Sequence, residues 1–287
     1  MSEKIRNARP ISTEKSLSVP FSLLMAVYHA DNASWLAASL SSICEQTQKP
    51  TEVILVRDGP IPTHLDEVIT RFCGLLPIKQ VQLPVNGGLA VALQSGLQAC
   101  QYDWVARMDS DDIALPERFE RQLAFLSNHP EVDVLGTWVS EFEENPSVVS
   151  GYRCPPGDTI ELHEFAKRRC PLNHMTVIYR KKAVLAVGGY QGFRGIEDYF
   201  LWAKLINAGY RLANLTQVLV WVRGGESVAR RRGGLRYLTM EAKLYVKFYR
   251  IGFLNLPMAL WQFLIRLPVR LFSWLRVLTY RYIRKRS

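Results

Sequence analysis

The stretch "FSLLMAVYHADNASWLAASLSSICEQTQKPTEVILVRDG", residues 21–59, decides the fold. Its first eight residues are a continuous apolar run rich in branched and aromatic side chains, which predicts a strand buried on both faces, and "EVILVRDG" (52–59) repeats the pattern. Between them Trp35, Leu36, Leu40 and Ile43 recur at helical intervals, and the helix must end before Pro50. Strand, helix and strand within so short a span make a βαβ unit.

The alternation continues outward. A helix is expected near 63–73, a strand at "IKQVQL", a turn at "NGG" (86–88), a helix over "LAVALQSGLQAC" and a strand at "DWVARMD". Four strands with helical crossovers imply an α/β fold, a mostly parallel sheet flanked by helices, with ligands beyond the carboxyl ends of the strands. Asp58 and Asp109 both stand at such ends. Further on, a helix opened by Pro116, strand-like "VDVLGTWVSEF", a less regular middle, a strand at "HMTVIYR", the turn "GGY", a helix over 196–210 and a last strand at "RLANLTQVLVWVRGG" complete the pattern. The globular unit is expected over 20–225, behind a loose arm at 1–19 and ahead of a different region at 226–287.

The chain has 287 residues, 48% of them hydrophobic, enough for a full core and too many for a disordered chain. Cys44, Cys73, Cys100, Cys154 and Cys170 follow no disulfide or metal-finger spacing, and residues 1–20 lack the apolar centre of a signal peptide. Reduced thiols and a cytoplasmic location are expected. The net charge of +10 is uneven: from Arg223 onward there are 15 Lys/Arg against 2 Asp/Glu, and the first 222 residues are net acidic.

"RMDSDD" (107–112) places Asp109, Asp111 and Asp112 at one strand end. A capping turn needs one such carboxylate. A calcium loop would need glycine where Ala114 stands and a ligand where Ile113 stands. A divalent cation that also holds phosphate oxygens suits the pattern and removes the mutual repulsion. Asp58 in "VRDG" and Asn86, Gly87 and Gly88 in "NGG" are each compatible with plain turn chemistry or with a phosphate-bearing ligand. The pair Glu197–Asp198 is compatible with first-turn acids complementing a helix dipole.

Taken in order, the strand ending "VY", "SSICEQTQKP", "EVILVRDG", "NGGLAVALQSG", "RMDSDD", "GGY" and "EDYFLW" resemble the inverting nucleotide-sugar glycosyltransferases of family 2, which have the GT-A fold. "NHMTVIYR" and "RRRGGLRYL" are similar to the branch that assembles amylovoran, exopolysaccharide and O-antigen. The resemblance implies that Val27, Tyr28 and Asp58, with Asn86 and Gly88 near the phosphates, serve the nucleotide sugar. It implies that Asp109 reaches the ribose and the metal, that Asp111 ligates Mg²⁺ or Mn²⁺, and that Asp198 is the catalytic base. His174 and Glu197 are candidate contacts to the diphosphate or acceptor. The implied acceptor is an undecaprenyl-diphosphate-linked oligosaccharide at the inner face of the plasma membrane. No Gln-x-x-Arg-Trp motif of processive synthases occurs, so one sugar per encounter is expected.

Residues 251–283 mix Trp261, Phe263, Phe272, Trp274, Tyr280 and Tyr282 with arginines. At about 100° per residue Arg266, Arg270 and Arg281 share one side of a helix, with Arg276 on the other flank. The longest uncharged run is too short for an ordinary membrane span, so the tail is expected to lie in an anionic interface rather than cross it. A terminal helical subdomain and a dimer interface are the other readings. Two rival functions remain at this stage: a nucleotidyltransferase that makes nucleotide sugars, and a basic nucleic-acid-binding protein. The confinement of positive charge to an aromatic, apolar segment argues against nucleic acid.

Overall fold

The computed structural model describes residues 19–191, 195–224, 234–272, 274–275, 278–279 and 282. The arm expected at 1–19, save Val19, lies outside the described residues, as do Arg276, Tyr280 and Arg281 of the tail.

The opening stretch forms β1 (Phe21–Val27), α1 (Ala33–Cys44) and β2 (Glu52–Arg57), and Asn32 caps α1 by accepting the N–H groups of Ser34 and Trp35. There follow α2 (Thr63–Cys73), β3 (Ile78–Gln82), α3 (Leu89–Ala99) and β4 (Trp104–Arg107). Then come β5 (Ile113–Ala114), α4 (Arg118–Asn128), β6 (Val134–Phe142), β7 (Val149–Arg153), α5 (Thr159–Ala166), β8 (Ile178–Arg180), α6 (Lys181–Ala186), α7 (Glu197–Asn207) and β9 (Leu212–Arg223). Two further helices follow, α8 (Leu235–Arg250) and α9 (Leu256–Leu271), and the described residues at 274–275, 278–279 and 282 are helical too.

Strands β3, β2, β1 and β4 pair in that order and all in parallel, as the crossovers dictate. Beyond β4 the sheet continues through β8, β6, β9 and β5; β8 pairs antiparallel on both sides, whereas β6 and β9 are parallel to each other. Because successive strand residues face opposite ways, Phe21, Leu23 and Met25 pack against α1, α2 and α4, and Leu24 packs with Ile54 and Val56 against α3. The "less regular middle" resolves into β7, a hairpin partner of β6, and α5, which Asp158 caps. "HMTVIYR" is strand only from Ile178, since His174–Thr176 form a 3₁₀ turn. Pro116 lies in a turn, and the helix it was expected to open begins at Arg118.

The last two helices are packed on the body. Leu244, Tyr245 and Phe248 of α8, with Phe253, Leu254 and Ala259, form one apolar cluster with Tyr199, Phe200 and Ala203 of α7. Their opposite side is open: Leu260, Trp261, Leu264 and Ile265 of α9 are all exposed, Trp261 by 63%. Among the described residues no helix is long and apolar enough to cross a membrane.

Gly96 is where α3 touches the sheet, and a methyl group there would run into Leu24 and Val56. Gly96→Ala is expected to cost about 1–3 kcal/mol by overpacking, read as a lowered denaturant midpoint; an unchanged midpoint would show that the helix and sheet can separate freely.

Candidate functional site

The carboxyl ends of β1, β2 and β4 lie side by side, Val27 opposite Arg57 and Leu24 opposite Arg107 in register. Val27 is buried and Tyr28, just past it, is 41% exposed. At the end of β2 the Asp58 carboxylate accepts the N–H groups of Gly87 (2.7 Å) and Gly88 (3.0 Å), and the Asn86 side chain donates to the Asp58 carbonyl (3.2 Å). Gly59 has φ +83° and its α-carbon lies against the backbone of Asn86, so no side chain fits there. Asp58 therefore welds the "VRDG" and "NGG" turns into one wall. Gly88, in that wall, stands at the start of α3.

At the end of β4, one carboxylate oxygen from each of Asp109, Asp111 and Asp112 lies within 4.8 Å of the others. Burial, then the charges of Asp109 and Asp31, pushes Asp111 up to about 6. Burial and Asp111 push Asp112 well above its ordinary range. Asp112 is not the cap of α4: it is buried, and it accepts the backbone N–H of Arg223 (2.9 Å) at the end of β9. Three carboxylates this close suit a hard cation held at about 2.0–2.6 Å from each oxygen. Asp109 and Asp111, the less buried two, are the residues that could hold it while leaving positions for a ligand.

Three residues at or beneath this cluster were not singled out in the sequence. Arg107, at the end of β4, is fully buried and pairs with Asp109 Oδ1 at 2.5 Å. Burial opposes its charge, but Asp109 beside it outweighs burial and holds the guanidinium above its ordinary range. Its Nε and Nη1 have no hydrogen-bond partner among the described residues. Beneath it Arg118, also buried, donates to the Arg107 carbonyl (2.6 Å); burial and the charge of Arg107 pull it down to about 9. Asp31, three residues past Tyr28, accepts the Tyr28 N–H (3.1 Å) and the Ser110 hydroxyl (3.0 Å), and burial pushes it up to about 6. "HAD" behind an apolar strand was the signal for Asp31; a buried arginine inside a strand has none.

The second acidic pair opens α7. Glu197 is buried and accepts the Gly195 N–H (2.6 Å), and burial followed by the charge of Asp198 pushes it up to about 7. Asp198 is partly exposed; its Oδ1 accepts the Tyr199 N–H (2.8 Å) and its Oδ2 lies 3.7 Å from Cys170 Sγ. His174 is buried, with Nε2 3.0 Å from the Tyr190 hydroxyl, and burial followed by Arg107 holds it well below its ordinary range. It is thus neutral and engaged with the "GGY" turn. The charge of Arg107 also bears on Asp111, His174, Tyr190 and Glu197.

The family profile described as glycosyl transferase family 2 matches residues 22–188. An amylovoran biosynthesis glycosyltransferase of Erwinia amylovora is 38% identical over 270 residues, covering 93% of this chain and 99% of its own. A UDP-Gal:alpha-D-GlcNAc-diphosphoundecaprenol beta-1,3-galactosyltransferase of Escherichia coli is 38% identical over 267 residues, covering 93% and 95%. Among solved structures, S. aureus TarS 1-349 in complex with UDP-GlcNAc superposes with a TM-score of 0.66 at 20% identity, covering 87% of this chain and 73% of that one. The fold is therefore GT-A-like.

Glu197 keeps its proton to about pH 7 in the fold and loses it near 4.5 when unfolded, so the unfolded chain binds fewer protons across that window and stability falls as pH rises through it. Glu197→Gln removes that penalty. Its melting temperature is expected to exceed wild type above pH 7, by up to about 3 kcal/mol of stability, with the gain fading toward pH 4.5; a gain independent of pH would mean that Glu197 is not buried as a charge.

Proposed function

The chain belongs to glycosyl transferase family 2, and on that premise we propose that it moves one sugar, with inversion, from a nucleotide-sugar donor to a lipid-linked glycan. The observation that carries this reading is the clustering of Asp109, Asp111 and Asp112 at the end of β4, with Asp109 paired to the buried Arg107. Residues 20–225 are the catalytic unit in this reading, and 226–287 the region that meets the membrane.

Val27 and Tyr28 line one side of the nucleoside, and the wall of Asp58, Asn86 and Gly88 lines the other. Asp58 acts there by holding the wall, since backbone N–H groups engage both of its oxygens. Asp109, fixed by Arg107, reaches the ribose, and with Asp111 would hold Mg²⁺ or Mn²⁺. When bound, the cation offsets the charge of the departing diphosphate. A UDP donor is in keeping with the E. coli relative.

Asp198 takes the proton from the acceptor hydroxyl as that oxygen attacks the anomeric carbon on the side opposite the nucleoside diphosphate. Glu197 beside it, pushed up to about 7, carries only part of a second negative charge at neutral pH. His174 and Tyr190 shape the floor, and contact with the acceptor falls to the residues about Asp198. The exposed stripe of α9 and the tail's positive charge suit peripheral attachment to an anionic cytoplasmic membrane face, where an undecaprenyl-diphosphate-linked acceptor would lie. Nucleotidyl transfer and nucleic-acid binding receive no support from the family.

Incubation with a panel of nucleotide sugars and a polyprenyl-diphosphate-linked sugar tests the reading. Transfer is expected to release nucleoside diphosphate; Asp198→Asn should retain donor binding and lose about 10²–10⁴-fold in rate, and Asp111→Asn should lose cation-dependent donor binding. Wild-type transfer by Asp198→Asn would sink the base assignment.

A further inference from the structure

Lys167, Arg168 and Arg169 follow α5 directly. Lys167 pairs with Glu164, but neither Arg168 nor Arg169 has an ion-pair partner among the described residues, and both are exposed. Across the seam from α9, Arg266 donates through Nη2 to the Arg168 carbonyl and through Nη1 to the Gln262 side chain (2.7 Å). It too has no carboxylate partner among the described residues, whereas Arg270, one turn on, is bound at two points by Glu241 (2.7 and 2.9 Å). Arg266 thus sits on the backbone next to Arg169; the Arg169 residue is exposed as a whole, but partial shielding of its guanidinium, followed by the charge of Arg266, pulls it below its ordinary range.

This cationic pair stands between two different surfaces. One residue past Arg169, the Cys170 thiol lies 3.7 Å from Asp198 Oδ2. On the other side, Leu264 and Ile265 precede Arg266 and belong to the exposed apolar stripe of α9. Asp198, the two arginines and the apolar stripe are thus linked by a contact or a bonded neighbour at each step, from Asp198 to Cys170 and Arg169, and from the Arg168 carbonyl to Arg266, Ile265 and Leu264. A lipid-linked sugar has the same order of parts: hydroxyl, diphosphate, hydrocarbon.

We propose that Arg169 and Arg266 hold the diphosphate of a polyprenyl-diphosphate-linked acceptor, directing its sugar to Asp198 and its hydrocarbon along α9. The inference rests on the glycosyltransferase reading above and adds to it the site that selects the acceptor. Guanidinium forks match phosphate oxygens at two points, shed water readily, and cease to repel each other once an anion lies between them. An acceptor held here is delivered from the membrane side and enters away from the nucleotide wall.

The probe is geranylgeranyl diphosphate, compared with geranylgeraniol, titrated into the full chain in EDTA so that the acidic cluster takes no metal-bound diphosphate. The wild type is expected to bind the diphosphate at least about tenfold more tightly than the alcohol, and Arg169→Gln to lose about tenfold for the diphosphate alone, the usual worth of one charge-assisted hydrogen bond. Arg169→Lys should keep part of that affinity. Binding to phosphatidylglycerol vesicles is expected to be equal in wild type and Arg169→Gln. Equal affinity of the wild type for diphosphate and alcohol would overturn the proposal, as would an unaffected Arg169→Gln. Loss of vesicle binding in parallel would make the pair a headgroup contact and overturn it too. Nucleotide-sugar hydrolysis by the wild type is followed separately: its absence alongside an intact preference for the diphosphate would refute the donor reading and leave this site standing.

Discussion

The ion pair between Arg107 and Asp109 is the constraint around which the site is built. A guanidinium taken fully out of water costs several kcal/mol unless it is paired, and Arg107 ends β4, the strand that joins the parallel half of the sheet to β8. Its backbone N–H is bound by Val177 and its carbonyl by Arg118. The side chain is thus held from the polypeptide outward, and it fixes Asp109 in turn. Asp111 and Asp112 stand beside Asp109, and the backbone N–H of Arg223 from β9 holds Asp112. Burial first, and then the neighbouring charges of Asp109 and Asp31, raise Asp111.

The charge of the same arginine reaches the second acidic pair. Glu197 and His174 both sense its charge, one favourably and one unfavourably. Burial first, and then this charge, keep His174 neutral, and it is bound to Tyr190. α7 carries Glu197 and Asp198 at its start and, one and two turns on, the surface that receives α8 and α9. α8 and α9 therefore support the second acidic pair, and α9 leaves an exposed apolar stripe on its other side.

What was legible in the sequence was local. Apolar runs and helical spacing gave the βαβ succession, the aspartates at strand ends, and the acidic start of α7, because each is set by neighbours within a few residues. What was not legible is set by partners far along the chain. Asp112 reads as a helix cap until Arg223 is seen to bind it 111 positions away. Asp58 reads as a ligand-binding group or a turn residue, and only the packing of Gly87 and Gly88 against it shows that it builds the wall. Arg107 in "WVARMD" looks like a charge at a strand's edge; its burial follows from β8 and α4 closing over it. α5 and β7 escaped because their sequences carry no clean period.

Whether the acidic cluster is a cation site is decided most directly by anomalous diffraction from crystals grown with manganese and a nucleoside diphosphate. A single manganese peak is expected within about 2.0–2.6 Å of carboxylate oxygens of Asp109 and Asp111, with the diphosphate on its open side and Arg107 still paired to Asp109. A nucleoside diphosphate bound at this edge with no manganese between it and the aspartates would mean that the cluster serves the fold and that this chain neutralises its leaving group by other means.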